Sequence, residues 1–479
     1  MRSFKWLGSV ELRSSRWFIT FVVSFTGATD VFVYGLIVPV TPTALHTRLL
    51  GFSDGNVQVW TSILLALFGG ALLVSSPIVG YIADRSESRQ WPYLCGLAGL
   101  GAATALLCVG RHIGFWIAGR LFQGAAAATV WVVGNALLVE TVGIDGVCEA
   151  IGYTAMASGV GTVAGPLLGG VVYENGGYYA VFGLAFGLIG LDIVLLLTLI
   201  ERRHLIKWLG PEMAPPVAER EATEQHVTEN AAAEGPESLP TAGSCSDQPV
   251  PPRDAPSRVA LGRAGLLLGS PRVIIAVWGN FIISIILTSF DSVLPLFTQE
   301  TFGWKQSGQG LVFIPLMIPH ILSPVTGSIV DKFPRACRYM TAGAFISCVP
   351  AMVLLRLVTD NSIQHKILLC TLLSLIGVCI AIALPPLDAE VFRAVEEKEQ
   401  KTPNIFGKGG TVALAFGLTS MGFAAGTLVG PVFAGFIRLQ AGWGAMGWAL
   451  GLITGVSSLP TLLFMGGWIL REPVRSGAE

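Results

Sequence analysis

Five ionisable side chains interrupt long apolar runs of this chain: Asp30, Arg120, Asp192, Asp291 and His320, with Asp388 and Glu390 close to the end of a further run. A charge at the centre of a lipid bilayer costs from about 2.5 kcal/mol upward unless it meets a partner or a water-filled cavity. Groups of this kind are suited to hold and release a proton, or to pair with a charged ligand. Asp30 has Thr26 and Tyr34 four residues to either side, on one helical face. Asn280, Ser284, Thr288 and Asp291 step by four, four and three residues, which predicts a polar stripe lining water or a ligand. Arg120, Gln123, Trp131 and Asn135 fall within one broad face of another segment. Arg120 is placed to pair with ionised Asp30, either as part of a working site or as a permanent structural ion pair. Asp192 reads as a buried structural carboxyl, and His320, beside Pro315 and Pro319, as a satisfied interior hydrogen-bonding group.

The elements that must carry these residues follow from composition. Of 479 residues, 52% are apolar and 13% charged, with a mean hydropathy of +0.65, where soluble domains carry about 25% charge. A water-soluble fold is excluded. Twelve apolar segments can be read, each long enough to cross a bilayer as a helix. The expected class is an all-α membrane protein with twelve transmembrane helices in two six-helix bundles. Its parts are an N-terminal tail (1–16), a first bundle (17–200), a polar linker without the apolar content to fold (201–271), a second bundle (272–470) and a C-terminal tail (471–479). The first apolar run is too long for a signal-peptide core and is expected to stay in the mature protein.

Charge places these parts. With the N-terminus in the cytosol, 23 of the 30 Lys and Arg residues fall on the cytosolic side and 6 on the other, Arg120 lying within a segment. The positive-inside rule then sets both termini in the cytosol. The net charge of −1 gives no reason to expect nucleic acid, and the eight cysteines contain no CxxC pair and read as packing residues. Neither paired catalytic carboxylates nor a metal-spaced His cluster occurs, so no enzyme, metal or cofactor is expected.

The halves repeat one another. Segment 2 ends in PIVGYIADR (Pro77 to Arg85) and segment 8 in PVTGSIVDK (Pro324 to Lys332). Segment 5 contains GVGTVAGPLLGG and segment 11 GFAAGTLVGPVFAG, sharing G-x-x-x-G-P-x-x-x-G. Asp30 precedes Pro39 in segment 1, as Asp291 precedes Pro295 in segment 7. Glycines four apart bare the backbone for close helix approach, and an interior proline permits a bend. Candidate gating residues are therefore Gly80, Asp84 and Arg85 with Gly327, Asp331 and Lys332, and Gly161, Gly165 and Pro166 with Gly426, Gly430 and Pro431. Asp84 is placed to cap a helix N-terminus or to meet a base across the contact between halves. Two matched halves suggest a site near the midplane between them, opened alternately by rocking.

These residues resemble the major facilitator superfamily over all twelve segments. The loop 2–3 signature is represented by Gly80, Asp84, Arg85 and Arg89, the segment 4 signature by Arg120, Gln123 and Gly124, and the segment 5 antiporter signature by Gly152, Gly161, Gly165, Pro166, Gly169 and Gly170. The loop departs from the family's D-R-x-G-R, reading Asp84-Arg85-Ser86-Glu87-Ser88. TDVFVYGLIVPVTP in segment 1 is similar to the twelve-helix drug:proton antiporters that include vesicular amine transporters and fungal multidrug or secondary-metabolite pumps. The resemblance implies helices 1, 4, 7 and 10 around a cavity holding Asp30, Arg120 and Asp291. It also implies proton-coupled export of a small amphipathic or cationic organic compound by a protein working as a monomer, with the plasma membrane favoured over vacuolar or vesicular membranes. Proton coupling would fall to Asp30 and Arg120, and substrate contact to Asp30, Tyr34, Gln123, Trp131, Asn135, Asn280, Ser284, Thr288 and Asp291. A nutrient symporter and a non-transporting sensor on the same fold are the alternatives.

Overall fold

The computed structural model describes residues 13–37, 54–86, 88–143, 146–200, 265–304, 306–402 and 411–468, and all regular structure among them is helical. Six helices lie in the first half: α1 (Arg16–Ile37), α2 (Asp54–Asp84), α3 (Gln90–Val109), α4 (Ile113–Val142), α5 (147–176) and α6 (178–198). The second half contains α7 (Pro271–Phe302), α8 (Phe313–Lys332), α9 (Ala336–Leu357), α10 (Ile363–Lys401), α11 (412–441) and α12 (443–464). At 1.5 Å per residue the 22 residues of α1 run about 33 Å, the depth of a bilayer's hydrocarbon core.

Continuous helix from Val412 to Phe464 spans 53 residues, too long for one crossing, and breaks at Gly442, whose φ of 86° only glycine adopts readily. Val147–Thr198 breaks in the same way at Gly177, with φ 74°. The twelve-helix count thus holds among the described residues, and the two reversals occupy matching places in the two halves. The linker expected at 201–271 lies outside the described residues up to 264, as do the tails before 13 and after 468.

In the first half α1 packs on α5 and α2 on α4; in the second α7 packs on α11 and α9 on α12. The halves meet chiefly along two pairs, α2 with α11 and α5 with α8. Buried apolar side chains fill both halves, with Tyr93, Trp116 and Phe182 in the first and Phe290, Phe345 and Phe416 in the second, and one cluster runs across the boundary from Tyr93 to Phe290. The outer faces are apolar as well. Val432, Phe436 and Leu439 on α11, and Leu191, Val194 and Leu197 on α6, stand exposed at three- and four-residue spacing, as a lipid-facing helix requires.

The α8 helix departs from its first-half counterpart. Pro315, Pro319 and Pro324 each remove a backbone donor, and residues Ile318–Leu322 tighten into a 3-10 segment between two short α-helical pieces. His320 sits in this break, 4% exposed, facing Gly159 of α5.

Candidate functional site

Asp30 lies fourteen residues into α1, about 21 Å along its axis, and is 4% exposed. Its carboxylate accepts a hydrogen bond from the indole N–H of Trp131 on α4 at 3.0 Å. The pairing of Asp30 with Arg120 read from sequence is replaced here by separate partners. Arg120, fully buried, donates from Nη1 to Gln123 Oε1 at 3.0 Å, and its guanidinium carbon stands 5.8 Å from the centre of the Tyr34 ring. That ring packs on Phe68 of α2, 4.8 Å between centroids, and its hydroxyl lies within electrostatic range of Asp291 as well as of Arg120. Tyr34 therefore stands between the base of the first half and the acid of the second. Asn135 is buried one turn beyond Trp131 on the same helix.

Of the polar stripe on α7, the structure opens one end and packs the other. Asn280 is 3% exposed and donates to Asp388 of α10 at 2.9 Å. Ser284 is fully buried and shares a 3.0 Å hydrogen bond with Thr427 of α11. Thr288 donates to the carbonyl of Ser284 at 2.7 Å and packs on Gly430. Asp291 alone of the four is exposed. The stripe is largely a helix–helix seam: the hydroxyls of Ser284 and Thr288 lie where Cβ atoms on Gly426 and Gly430 would intrude. A three- and four-residue spacing marks one face of a helix but does not say whether a neighbour covers it.

The seam also fixes the register of the repeat. A Cβ on Gly165 would stand 2.7 Å from the carbonyl oxygen of Phe32, and one on Gly430 2.9 Å from that of Ile285. Gly161 meets the Ala28 carbonyl as Gly426 meets that of Phe281. By this pairing Asp30 is level with Ile283, so Asp291 lies eight residues, about 12 Å, nearer the end of the bundle opposite the termini. The equivalence of the two acids suggested by their following prolines does not hold in space. One is at mid-depth and buried; the other is farther out and open.

At the end carrying both termini, each half caps a helix of the other. Asp84, at the last turn of α2, accepts from the backbone N–H groups of Ala413 at 2.9 Å and Leu414 at 2.8 Å, the first turn of α11. Asp331, at the same place on α8, accepts from Cys148 at 3.1 Å and Glu149 at 2.9 Å, the first turn of α5. A carboxylate on free N–H groups at a helix N-terminus also meets the positive end of the helix dipole. Gly80 and Gly327 lie one turn before these acids, and Cβ atoms there would strike the backbone of Ala413 and Cys148. Gly152 on Ser323 and Gly417 on Ser76 make the reciprocal contacts.

An arginine completes each cap. Arg89 donates to Asp84 at 3.0 Å and to Glu140 at 2.7 Å, and Arg393 donates to Asp331 at 2.9 Å. Burial opposes the charge on Arg89, but Glu140 and Asp84 outweigh it and hold its pKa above the ordinary value. Glu140 and Arg393 escaped the sequence reading: Glu140 is a lone charge at the end of an apolar segment, and Arg393 lies within the charged end of another, between Glu390 and Glu396, so neither signal is specific. Arg85 stacks on Tyr81, 4.3 Å from the ring centre, and Lys332 is exposed. Pro166 packs against Gly35, where a Cβ would stand 2.9 Å from Cδ, while Pro431 is half-buried in α11. Among the described residues no group of three or more His, Cys, Asp or Glu side chains could hold a metal ion.

Comparison with known proteins agrees with this architecture. The model of the Major Facilitator Superfamily matches residues 20–406. The chain is 30% identical over 461 residues to the MFS-type transporter ppzB of Metarhizium rileyi, covering 94% of this chain and 95% of that one. A shorter match, 30% over 180 residues and 37% of this chain, is to the class H tetracycline resistance protein of Pasteurella multocida. Among solved structures, the human organic anion transporter MFSD10 (TETRAN) superposes with a TM-score of 0.62 over 93% of this chain and 99% of its own, at 16% identity, and so shares the fold. The chain belongs to the Major Facilitator Superfamily and is a multi-pass membrane transporter of small molecules.

Proposed function

We propose that this transporter is a proton-coupled antiporter exporting a small amphipathic or cationic organic compound by alternating access. The observation that carries the reading is the pair of unneutralised acids, one in each half: Asp30, buried with only a neutral donor at its carboxylate, and Asp291, exposed and within electrostatic range of Tyr34. Protonating Asp30 removes a charge from a water-poor position, and competition between proton and substrate for the acids couples the two fluxes. Arg120, hydrogen-bonded to Gln123, stands beside the Tyr34 ring next to that site. The resistance-protein name of one relative supports export over uptake.

The capped end is cytosolic in this reading, with both termini and the 201–271 linker on that side, so the two Asp caps latch the outward-facing state. Rocking the halves about the α2–α11 and α5–α8 contacts breaks both caps together and opens the site inward. The protein works as a monomer in the plasma membrane. The test is accumulation of a panel of cationic, neutral and anionic compounds in cells with and without the protein, with the pH gradient collapsed as control. Lower accumulation of cationic amphiphiles that depends on the gradient is expected; gradient-dependent uptake of a nutrient would replace the antiport reading with symport.

A further inference from the structure

A groove of about 480 Å³ runs down the outer face of the second half, between α9 and α10. On α9 it is lined by Tyr339, Gly343, Ser347, Pro350 and Leu354, which step by four, four, three and four residues and so share one face of the helix. Leu375, Val378 and Ile382 of α10 form the facing wall. A Cβ on Gly343 would meet nothing within 4 Å, and Tyr339, Ser347, Pro350 and Leu375 are exposed, so among the described residues no helix covers the groove. In a membrane this face meets lipid. From Tyr339 to Leu354 it extends about 22 Å, more than the roughly 15 Å of hydrocarbon in one leaflet, so an acyl chain fits along it at full length.

The end of the groove nearest the termini carries positive charge. Arg335 precedes α9 in helical conformation, φ −67° and ψ −24°, one turn before Tyr339 and on the same face. Lys332 closes α8 three residues earlier, and both side chains are exposed. Among the described residues neither forms an ion pair. Asp331 beside them is engaged with the α5 cap and Arg393, and Arg338 with the carbonyls of Met465 and Gly467. Between the two bases Phe333 is 65% exposed, a side chain that water disfavours and the boundary of headgroups and acyl chains accommodates.

We propose that an anionic phospholipid binds here, its phosphate held by Lys332 and Arg335 and one acyl chain laid along the α9–α10 groove. Basic sites beside membrane helices suit anionic headgroups, and an apolar channel of this length suits a hydrocarbon tail. Both walls belong to the second half, so the lipid stays bound while the halves rock. Its assignment to the cytosolic leaflet rests on the orientation proposed above; its binding to the protein in detergent does not.

The test is retention of lipid by the purified full-length protein in detergent, titrated with dioleoyl phosphatidylserine or dioleoyl phosphatidylcholine and read by native mass spectrometry. The proteins compared are the parent, Lys332→Gln/Arg335→Gln and Gly343→Leu. The parent should hold phosphatidylserine more tightly than phosphatidylcholine. Loss of the bases should weaken phosphatidylserine roughly fivefold for each one removed and leave phosphatidylcholine unchanged. Gly343→Leu fills the groove without striking a neighbour and should weaken both lipids. Equal retention of the two lipids by the parent overturns the inference, as does parent-like retention of phosphatidylserine in either variant. Should Gly343→Leu not accumulate in the membrane, the charge variant decides, because both bases are exposed and their replacement disturbs no packing.

Discussion

Asp84 accepts from the backbone N–H of Ala413, 329 residues away in sequence, at 2.9 Å across the boundary between the two halves. Asp331 does the same for α5. Losing a helix cap costs about 1 kcal/mol, more where a charge assists. Asp84→Ala is thus expected to shift the balance between the two conformations by roughly tenfold toward the state in which α2 and α11 part. A thiol introduced by Ser76→Cys, buried at this contact, reads the change. Its labelling from the cytosolic side should rise in the Asp84→Ala background, and again with Asp331→Ala; unchanged labelling would remove the caps from gating.

The glycine signature separates into positions that need glycine and positions that do not. A Cβ on Gly165 meets the Phe32 carbonyl at 2.7 Å, whereas one on Gly170 meets nothing within 4 Å. Overpacking a seam costs typically 1–3 kcal/mol. Gly165→Leu should impair transport in protein that still inserts, since insertion follows hydrophobicity, and Gly170→Ala should transport normally. Equal activity in both would leave the α1–α5 contact without a role in the cycle.

Trp131→Phe removes the donor to Asp30 while keeping most of the ring. The ionised form of Asp30 loses its hydrogen bond and the protonated form loses little, so a proton is retained to more alkaline conditions. The pH profile of gradient-driven transport should move upward in pH, with expression unchanged. A profile that stays in place would show that the Trp131 contact does not bear on the coupling group.

Asp291→Asn is expected to weaken transport of cationic compounds more than of neutral ones, because its charge is exposed and a lost charge contact matters little to an uncharged molecule. Half-maximal concentrations for a matched cationic and neutral pair make the comparison. Equal weakening of both would make Asp291 a packing residue.

Much of this arrangement is legible in the sequence, and the limits have physical causes. Glycine spacing in α5 and α11 and the repeated Asp84 and Asp331 are local patterns, and their contacts follow from close approach and helix capping, which depend on backbone geometry. The partners of Asp30 are not local. That Trp131, and not Arg120, meets its carboxylate depends on the rotation of α4 about its axis, which a broad polar face leaves open. The apparent match of Asp30 with Asp291 rests on single prolines downstream, whereas the glycine seam sets the true register. Asn280 and Ser284 are polar because a buried seam can be polar when its groups are paired, a case that periodicity alone does not separate from a cavity wall.

Gradient-driven transport by Asp30→Asn in reconstituted vesicles, measured as a function of external pH beside the parent, tests the coupling claim most directly. The parent should concentrate substrate against its gradient when a pH difference is imposed. Asp30→Asn should lose that uphill transport while retaining downhill exchange, since the rest of the site survives. Uphill pumping by Asp30→Asn with the parent's pH dependence would contradict the account and make Asp30 a structural residue.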